Sequence, residues 1–197
     1  MKTLFFLIIL QTAFAQQKFE KDSVLQFQKE LNEHYADTAS SPLKKEDLKH
    51  FVNLAFYPIS ETYFVQAKFT RTKKEKPFEM KTTTARKPIY VKYGELQFTI
   101  NDVPCKLNVY QNVEYAKKPG HQNSLFLPFT DLTSGVESYG GGRYIDMEVQ
   151  KGNTWTIDFN KGYNPYCAYN EKYSCPIPPA ENDLKVEVKA GVKKYHD

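Results

Sequence analysis

Apolar and polar residues follow two different periods along this chain. Val24, Phe27, Leu31 and Tyr35 recur at helical spacing, which predicts one amphipathic helix over residues 21–35. Ser40-Ser41-Pro42 reads as a helix start, with Ser41 as N-cap and Pro42 in the first turn, and predicts a second helix reaching about Phe51. Beyond it the period falls to two. Val65, Ala67 and Phe69 alternate with Gln66, Lys68 and Thr70. Leu96, Phe98 and Ile100 form a second such strand and Cys105, Leu107 and Val109 a third, with Asn101-Asp102 as the turn between them. A short apolar run, Phe126-Leu-Pro-Phe129, follows. Three more alternating sets come after it: Ile145, Met147, Val149; then Trp155, Ile157, Phe159; then Leu184, Val186, Val188. The expected class is mainly β (α+β), a compact antiparallel β-barrel or sandwich preceded by two N-terminal helices at about residues 21–51.

The short connection at residues 150–153 predicts that residues 144–149 and 154–159 form a hairpin. Both apolar sets sit on odd numbers, so odd must pair with odd. One allowed register sets Asp146 opposite Asp158 and the next sets Tyr144 there. Facing carboxylates repel unless a cation, proton or donor lies between them, and Arg143 is the nearest candidate. Alternatively both aspartates are simply solvated.

The chain opens with a basic Met1-Lys2-Thr3, an apolar run over residues 4–14 and a small-x-small site at Ala13-Phe14-Ala15. This reads as a signal peptide over residues 1–15, which implies a secreted or periplasmic domain over residues 16–197. The apolar run is short for a membrane span, so no stable membrane insertion is expected. About 180 residues suffice for one sizeable core. The formal charge of +4 comes from scattered mixed runs such as Lys73-Lys-Glu-Lys76, not from a basic face, so no nucleic-acid partner is expected. An odd number of cysteines in an oxidising compartment points to one bridge and one free thiol. Cys105 alternates with apolar residues and reads as buried; Cys167 and Cys175 share a loop and are the disulfide candidate.

Residues 129–182 hold the densest candidate chemistry. Gly140-Gly141-Gly142 can present bare N–H groups to an anion or carbonyl oxygen, and Arg143 can grip a carboxylate or phosphate with paired bonds. The same glycines can equally form a strand-entry turn. No helix pattern or Lys-Ser/Thr follows, so this is not a P-loop. Glu137, Asp131 and Asp158 are candidate acids or bases with Tyr139 and Tyr163 as donors, or else turn-holding acceptors. The four histidines, His34, His50, His121 and His196, all lie outside the stretch, which argues against a Ser-His-Asp triad at Ser134. Two cysteines at this spacing match no strong zinc pattern, so neither metal nor cofactor is expected. Tyr163-Asn164-Pro-Tyr-Cys167 and Cys175-Pro-Ile-Pro-Pro179 are stiff segments suited to bracing a tyrosine-rich wall.

The string Phe129-x-Asp131-x-Thr133-Ser-Gly135-x-Glu137-x-Tyr139-Gly-x-Gly-Arg143-Tyr144-x-Asp146 resembles a microbial family designated domain of unknown function 1684. So do Asp158-Phe-Asn160-x-x-Tyr163-Asn-Pro-x-Cys167-Ala and Cys175-Pro-x-Pro-Pro-x-Glu181-Asn182. The Ser41-Pro42-Leu43 start and the Tyr57-Pro58 turn also match. The resemblance implies that the polar stretch is a family signature and that Cys167 and Cys175 matter beyond a bridge. It implies no activity.

The functional expectation is therefore an exported domain binding a small polar ligand, anionic or carbonyl-bearing, through Arg143 and the glycine turn. Asp131, Glu137, Tyr139, Gly141, Gly142, Asp146, Asp158, Asn160, Tyr163 and Asn164 would line the pocket. One rival is a hydrolase or lyase using Glu137 or Asp158 as base, Arg143 as electrophile and a tyrosine such as Tyr139 as acid. The other is an envelope interaction scaffold, in which Arg143 would be consumed by internal carbonyls.

Overall fold

The computed structural model describes residues 17–195. The expected signal peptide therefore lies outside the described residues, as does His196. Helix α1 (Lys21–Ala36) forms where the first periodicity predicts it and buries Val24 and Tyr35. Tyr35 packs edge-on against Tyr169, at 4.8 Å between ring centroids, in a small core with Leu43, Leu54 and Val192. The second helix is much shorter than expected, since α2 spans only Lys45–Leu48 and Lys44 before it is extended. Ser41 does not cap it. Its hydroxyl instead donates to the Tyr35 carbonyl at 2.6 Å and accepts from the Leu43 N–H at 3.2 Å, sealing the end of α1.

The strands are β1 (Phe64–Arg71), β2 (Phe78–Glu79), β3 (Ile89–Ile100), β4 (Val103–Asn112), β5 (Ser124–Phe129), β6 (Arg143–Glu148) and β7 (Thr154–Asp158). They form an antiparallel seven-stranded sheet in the order β6-β5-β4-β3-β1-β7, with β2 added beside β3. Its inner face buries Ala67, Leu96, Leu107, Leu127, Trp155 and Ile157 in the main core. Asn101 and Asp102 both take positive φ, 48° and 63°, as the two-residue β3–β4 turn demands.

A bulge between Lys92 and Gly94 inserts one residue into β3. Side chains alternate strictly, so one extra residue reverses their phase. Gly94, Leu96 and Phe98 therefore pair with the inward side of β4, whereas Tyr90 pairs with Asn112 on the outward side. The bulge gives the sheet a second aromatic face, where Tyr90, Tyr110 and Met80 are buried beside Phe78 and Phe126.

The expected hairpin between residues 144–149 and 154–159 does not form. β6 pairs with β5, placing Phe126 opposite Asp146, and β7 pairs with β1, placing Phe64 opposite Asp158. The short connection crosses between the two edges of the sheet instead of joining neighbours. Curling brings those edges together. Tyr144 and Tyr163 exchange backbone hydrogen bonds at 2.9 and 3.0 Å, and the Gln150 amide clasps the Thr156 N–H and C=O at 2.8 and 2.9 Å. The result is a curled open sheet, neither a closed barrel nor a two-sheet sandwich.

Leu184, Val186 and Val188 alternate inward as expected, with Ala190 continuing the set, but among the described residues they join no strand ladder. Their segment runs parallel to residues 130–132, through Thr130 N–H to Asn182 O, Leu184 N–H to Thr130 O and Leu132 N–H to Val186 O. Past Leu132 the neighbouring backbone turns away. Side chains take over from there.

Candidate functional site

The side chains that take over are Asp131 and Arg143, both with no exposed side-chain surface. Asp131 Oδ1 accepts from the Val188 and Thr133 N–H groups at 3.2 and 2.7 Å. Arg143 Nη2 donates to Asp131 Oδ2 at 2.6 Å and to the Val188 carbonyl at 2.8 Å, while Nη1 donates to the Ala190 carbonyl. Together the pair continues the parallel ladder for the segment that has lost its backbone partner. The guanidinium also sits 5.2 Å from the Phe129 ring centroid and 5.7 Å from that of Tyr57, an aromatic lining that tolerates a weakly hydrated cation. Its Nε has no partner among the described residues, and its buried position keeps it from solvent. The expectation that Arg143 grips a ligand is corrected by this geometry. The guanidinium is enclosed, and both terminal nitrogens donate to protein acceptors.

The glycine turn is structural too. Gly142 has φ +86° and its N–H donates to the Tyr139 carbonyl at 3.0 Å. A Cβ there would lie 2.6 Å from the Phe129 carbonyl oxygen, and one on Gly141 would strike the Tyr139 ring. The turn thus folds tightly under Tyr139 to deliver Arg143 into the core.

Two asparagines of the stretch act as surrogate peptides. Asn182 accepts from the Asn108 N–H at 2.8 Å and donates to the carbonyls of Asn108 and Pro128 at 2.8 and 2.6 Å. Pro128 lacks an N–H, β4 and β5 pair only at Tyr110 and Phe126, and the Asn182 amide fills the interrupted ladder. Asn160 clasps both backbone groups of Ser60 at 3.0 and 2.9 Å, and Asp158 Oδ1 accepts from the Asn160 N–H at 3.1 Å. Asn164 is buried and donates to the Lys193 carbonyl at 2.8 Å. Glu137 lies at the surface beside Lys189, 3.3 Å away.

Asp146 behaves differently. It projects from the outward side of β6, solvent-accessible yet flanked by protein, and accepts from the Tyr163 hydroxyl at 2.8 Å. Loss of solvation pushes its carboxyl above the usual carboxylate range, with the Tyr163 bond partly offsetting the shift. Burial raises Asp158 as well, again offset by Asn160. Asp146 borders two clefts. One, of about 640 Å³, has Tyr90, Asn112, Phe126 and Glu148 on the sheet and Tyr115 and His121 on the rim. His121 lies against Tyr115 with 4.1 Å between ring centroids. No lysine or arginine lines that cleft among the described residues. The other, of about 400 Å³, lies where the sheet edges approach and contains Asp158 and Lys161. So Asp146 and Asp158 do share a cleft, although not as strand partners.

Tyr90, Asn112, Phe126, His121 and Glu148 escaped sequence reasoning. Their signal is the phase break in Val91-Lys-Tyr93-Gly94-Glu-Leu96, where apolar residues switch from odd to even numbers. That switch marks the bulge and hence the outward aromatic face. Among the described residues no group of three or more His, Cys, Asp or Glu side chains is arranged to hold a metal ion, and no helix is long and apolar enough to cross a membrane.

Cys167 and Cys175 stand as free thiols, without the expected bridge. The Cys167 N–H donates to Cys175 Sγ at 3.2 Å, and the Tyr139 hydroxyl lies 3.8 Å from Cys167 Sγ. Cys175 is fixed from behind, its N–H donating to the Thr83 hydroxyl at 3.1 Å and its carbonyl accepting from the Thr83 N–H at 2.9 Å. Hydrogen bonds from Cys175, Tyr139 and Thr83 lower the Cys167 thiol to about 6, while its partner is pushed up by that interaction and by burial.

A comparison with curated proteins found no match. Among solved structures, the solution NMR structure of an uncharacterised protein of Haloarcula marismortui is similar, with 28% identity and a TM-score of 0.69 over 88% of this chain and 93% of that one. The model of the family described as "Protein of unknown function (DUF1684)" matches residues 49–193, a span that holds the whole sheet, the buried Asp131–Arg143 pair and both loop cysteines. The chain belongs to that family.

Proposed function

We propose that this is an exported domain that binds a small polar ligand in the aromatic cleft beside Asp146, and that the ligand presents hydrogen-bond donors, either hydroxyls or an ammonium. The observation that carries the reading is Asp146 itself. It is an accessible carboxylate with weakened solvation, positioned by Tyr163 and facing a cleft with aromatic residues. Aromatic faces take sugar rings and cations, and an incompletely solvated carboxylate gains most from an incoming donor. With Asp146 and Glu148 on its wall and no lysine or arginine lining it among the described residues, the cleft favours such a ligand over the anion expected from Arg143. An electrophilic role for Arg143 in a hydrolase or lyase has no geometric support, because the guanidinium is sealed away from both clefts.

The test is a thermal-shift and calorimetric titration of the chain from Gln16 with glucose, N-acetylglucosamine, ethanolamine and spermidine. A hit should disappear in Asp146→Asn, and the sugar and amine arms separate the two donor sources. A hit that survives Asp146→Asn with unchanged affinity sinks the reading. Export is tested separately, by the N-terminal mass of protein recovered outside the cytoplasm, which should begin at Gln16.

A further inference from the structure

We propose that Cys167 and Cys175 form a redox-active dithiol that exchanges with low-molecular-weight disulfides of the glutathione class, with Cys167 as the attacking sulfur and Cys175 as the resolving one. This centre is separate from the Asp146 cleft and does not depend on any ligand there.

The roles follow from how differently the sulfurs are held. Cys167 is partly exposed, in the middle of the 3-10 turn Tyr166–Ala168, whereas Cys175 is buried. The Tyr139 hydroxyl lies 3.8 Å from Cys167 Sγ, and with the Cys175 thiol and the Thr83 hydroxyl it favours the Cys167 thiolate. Cys175 Sγ accepts the Cys167 N–H, so the resolving sulfur already rests against the backbone of the residue it must attack. Behind it, Thr83 bonds the Cys175 backbone in both directions, and Arg86 and Thr84 bond Ser174. That wall stays put while the outer thiol reacts. The other ionisable groups facing the pair are the phenols of Tyr144 and Tyr166 and the guanidinium of Arg86.

The Cys167 thiolate, its proton already given to solvent, attacks one sulfur of RSSR, forming a Cys167–S–S–R mixed disulfide and expelling RS⁻. That thiolate takes the Cys175 proton. Cys175 then attacks Cys167 Sγ, closing the internal bond and expelling a second RS⁻, which is protonated from solvent. The protein dithiol loses two electrons and RSSR becomes two RSH. Hydrogen bonds that stabilise the reduced form make the internal disulfide readily reducible, so the cycle runs in both directions.

The test uses the full domain on a Cys105→Ser background, reduced, freed of reductant and exposed to oxidised glutathione. Intact mass and peptide maps should show an internal Cys167–Cys175 bond that reduced glutathione reopens. Cys175→Ser should trap one glutathionyl group on Cys167, whereas Cys167→Ser should leave Cys175 unmodified over the same time. In the unsubstituted chain, where folding is not in question, iodoacetamide at neutral pH should modify Cys167 faster than Cys105 by on the order of tenfold. The proposal fails if the adduct sits on Cys175 or if Cys167 reacts no faster than Cys105. It also fails if the mixed disulfide persists without closing, or if the internal bond resists reduced glutathione as a structural bridge would.

Discussion

Asp131 and Asp146 lie in the same polar stretch and have opposite fates. Asp131 is wholly buried, but its carboxylate is matched by a guanidinium and two backbone N–H groups. Asp146 reaches solvent, accepts from the Tyr163 phenol, and borders two clefts. A buried ion pair whose carboxylate and terminal guanidinium nitrogens all find protein partners is structure; an accessible carboxylate with unused acceptor capacity can receive a ligand. The density of polar residues in sequence does not separate these cases. The supply of partners in space does.

This contrast predicts a ranking of effects. Arg143→Ala should be the most damaging substitution, because it strands the Asp131 charge in the core and frees the carbonyls of Val188 and Ala190. A loss of about 3–5 kcal/mol, read by urea denaturation, is expected, and Arg143→Lys should recover only part of it. Full stability in Arg143→Ala would break the contrast at once. Asn182→Ala should cost less, about 2–3 kcal/mol, by leaving Asn108 and Pro128 groups unsatisfied where the β4–β5 ladder is interrupted. Amide exchange at Asn108 should accelerate in that variant.

Asp146→Asn should leave the melting temperature unchanged or raise it at neutral pH while abolishing the ligand response. The sign follows from the raised carboxyl. The unfolded chain ionises Asp146 at lower pH than the folded one, so stability is full below the unfolded value and is lost as pH rises through the folded value. Any advantage of Asp146→Asn should therefore shrink as pH falls through the ordinary carboxylate range. Paired melting curves of the two proteins from acid to neutral pH check this, and an advantage that grows towards acid would contradict it. The smallest effect is expected from Tyr163→Phe, which removes one donor from Asp146 and raises its carboxyl further. Ligand response in that variant should weaken on acidification at a higher pH than in the parent chain.

Local patterns were legible where a segment's own side chains decide its structure. The spacing of Val24 to Tyr35 located α1, and Asn101-Asp102 located the β3–β4 turn. Partner choice was not legible. A short connection suggested a β6–β7 hairpin, but each strand finds a better partner elsewhere, in β5 and β1, and the connection spans the curl of the sheet. The final alternation at Leu184, Val186 and Val188 correctly marked inward positions, but nothing local shows that Asp131 and Arg143 serve that segment as its missing backbone. Arg143 looked like a ligand clamp because an arginine beside three glycines has the right chemistry for one. The glycines instead let it turn inward. The aromatic cleft was hidden behind a single phase break at Gly94, which carries no polar signal of its own.

A thermal-shift comparison of the parent chain and Asp146→Asn across the sugars and amines above tests the Asp146 site most directly. A saturating ligand, at a hundred times its dissociation constant, stabilises by about 2.7 kcal/mol, a rise of roughly 5–10 °C for a domain of this size. That rise is expected in the parent and not in Asp146→Asn, whose unliganded melting temperature is at least as high. An equal rise in both proteins would show that the ligand site lies away from Asp146.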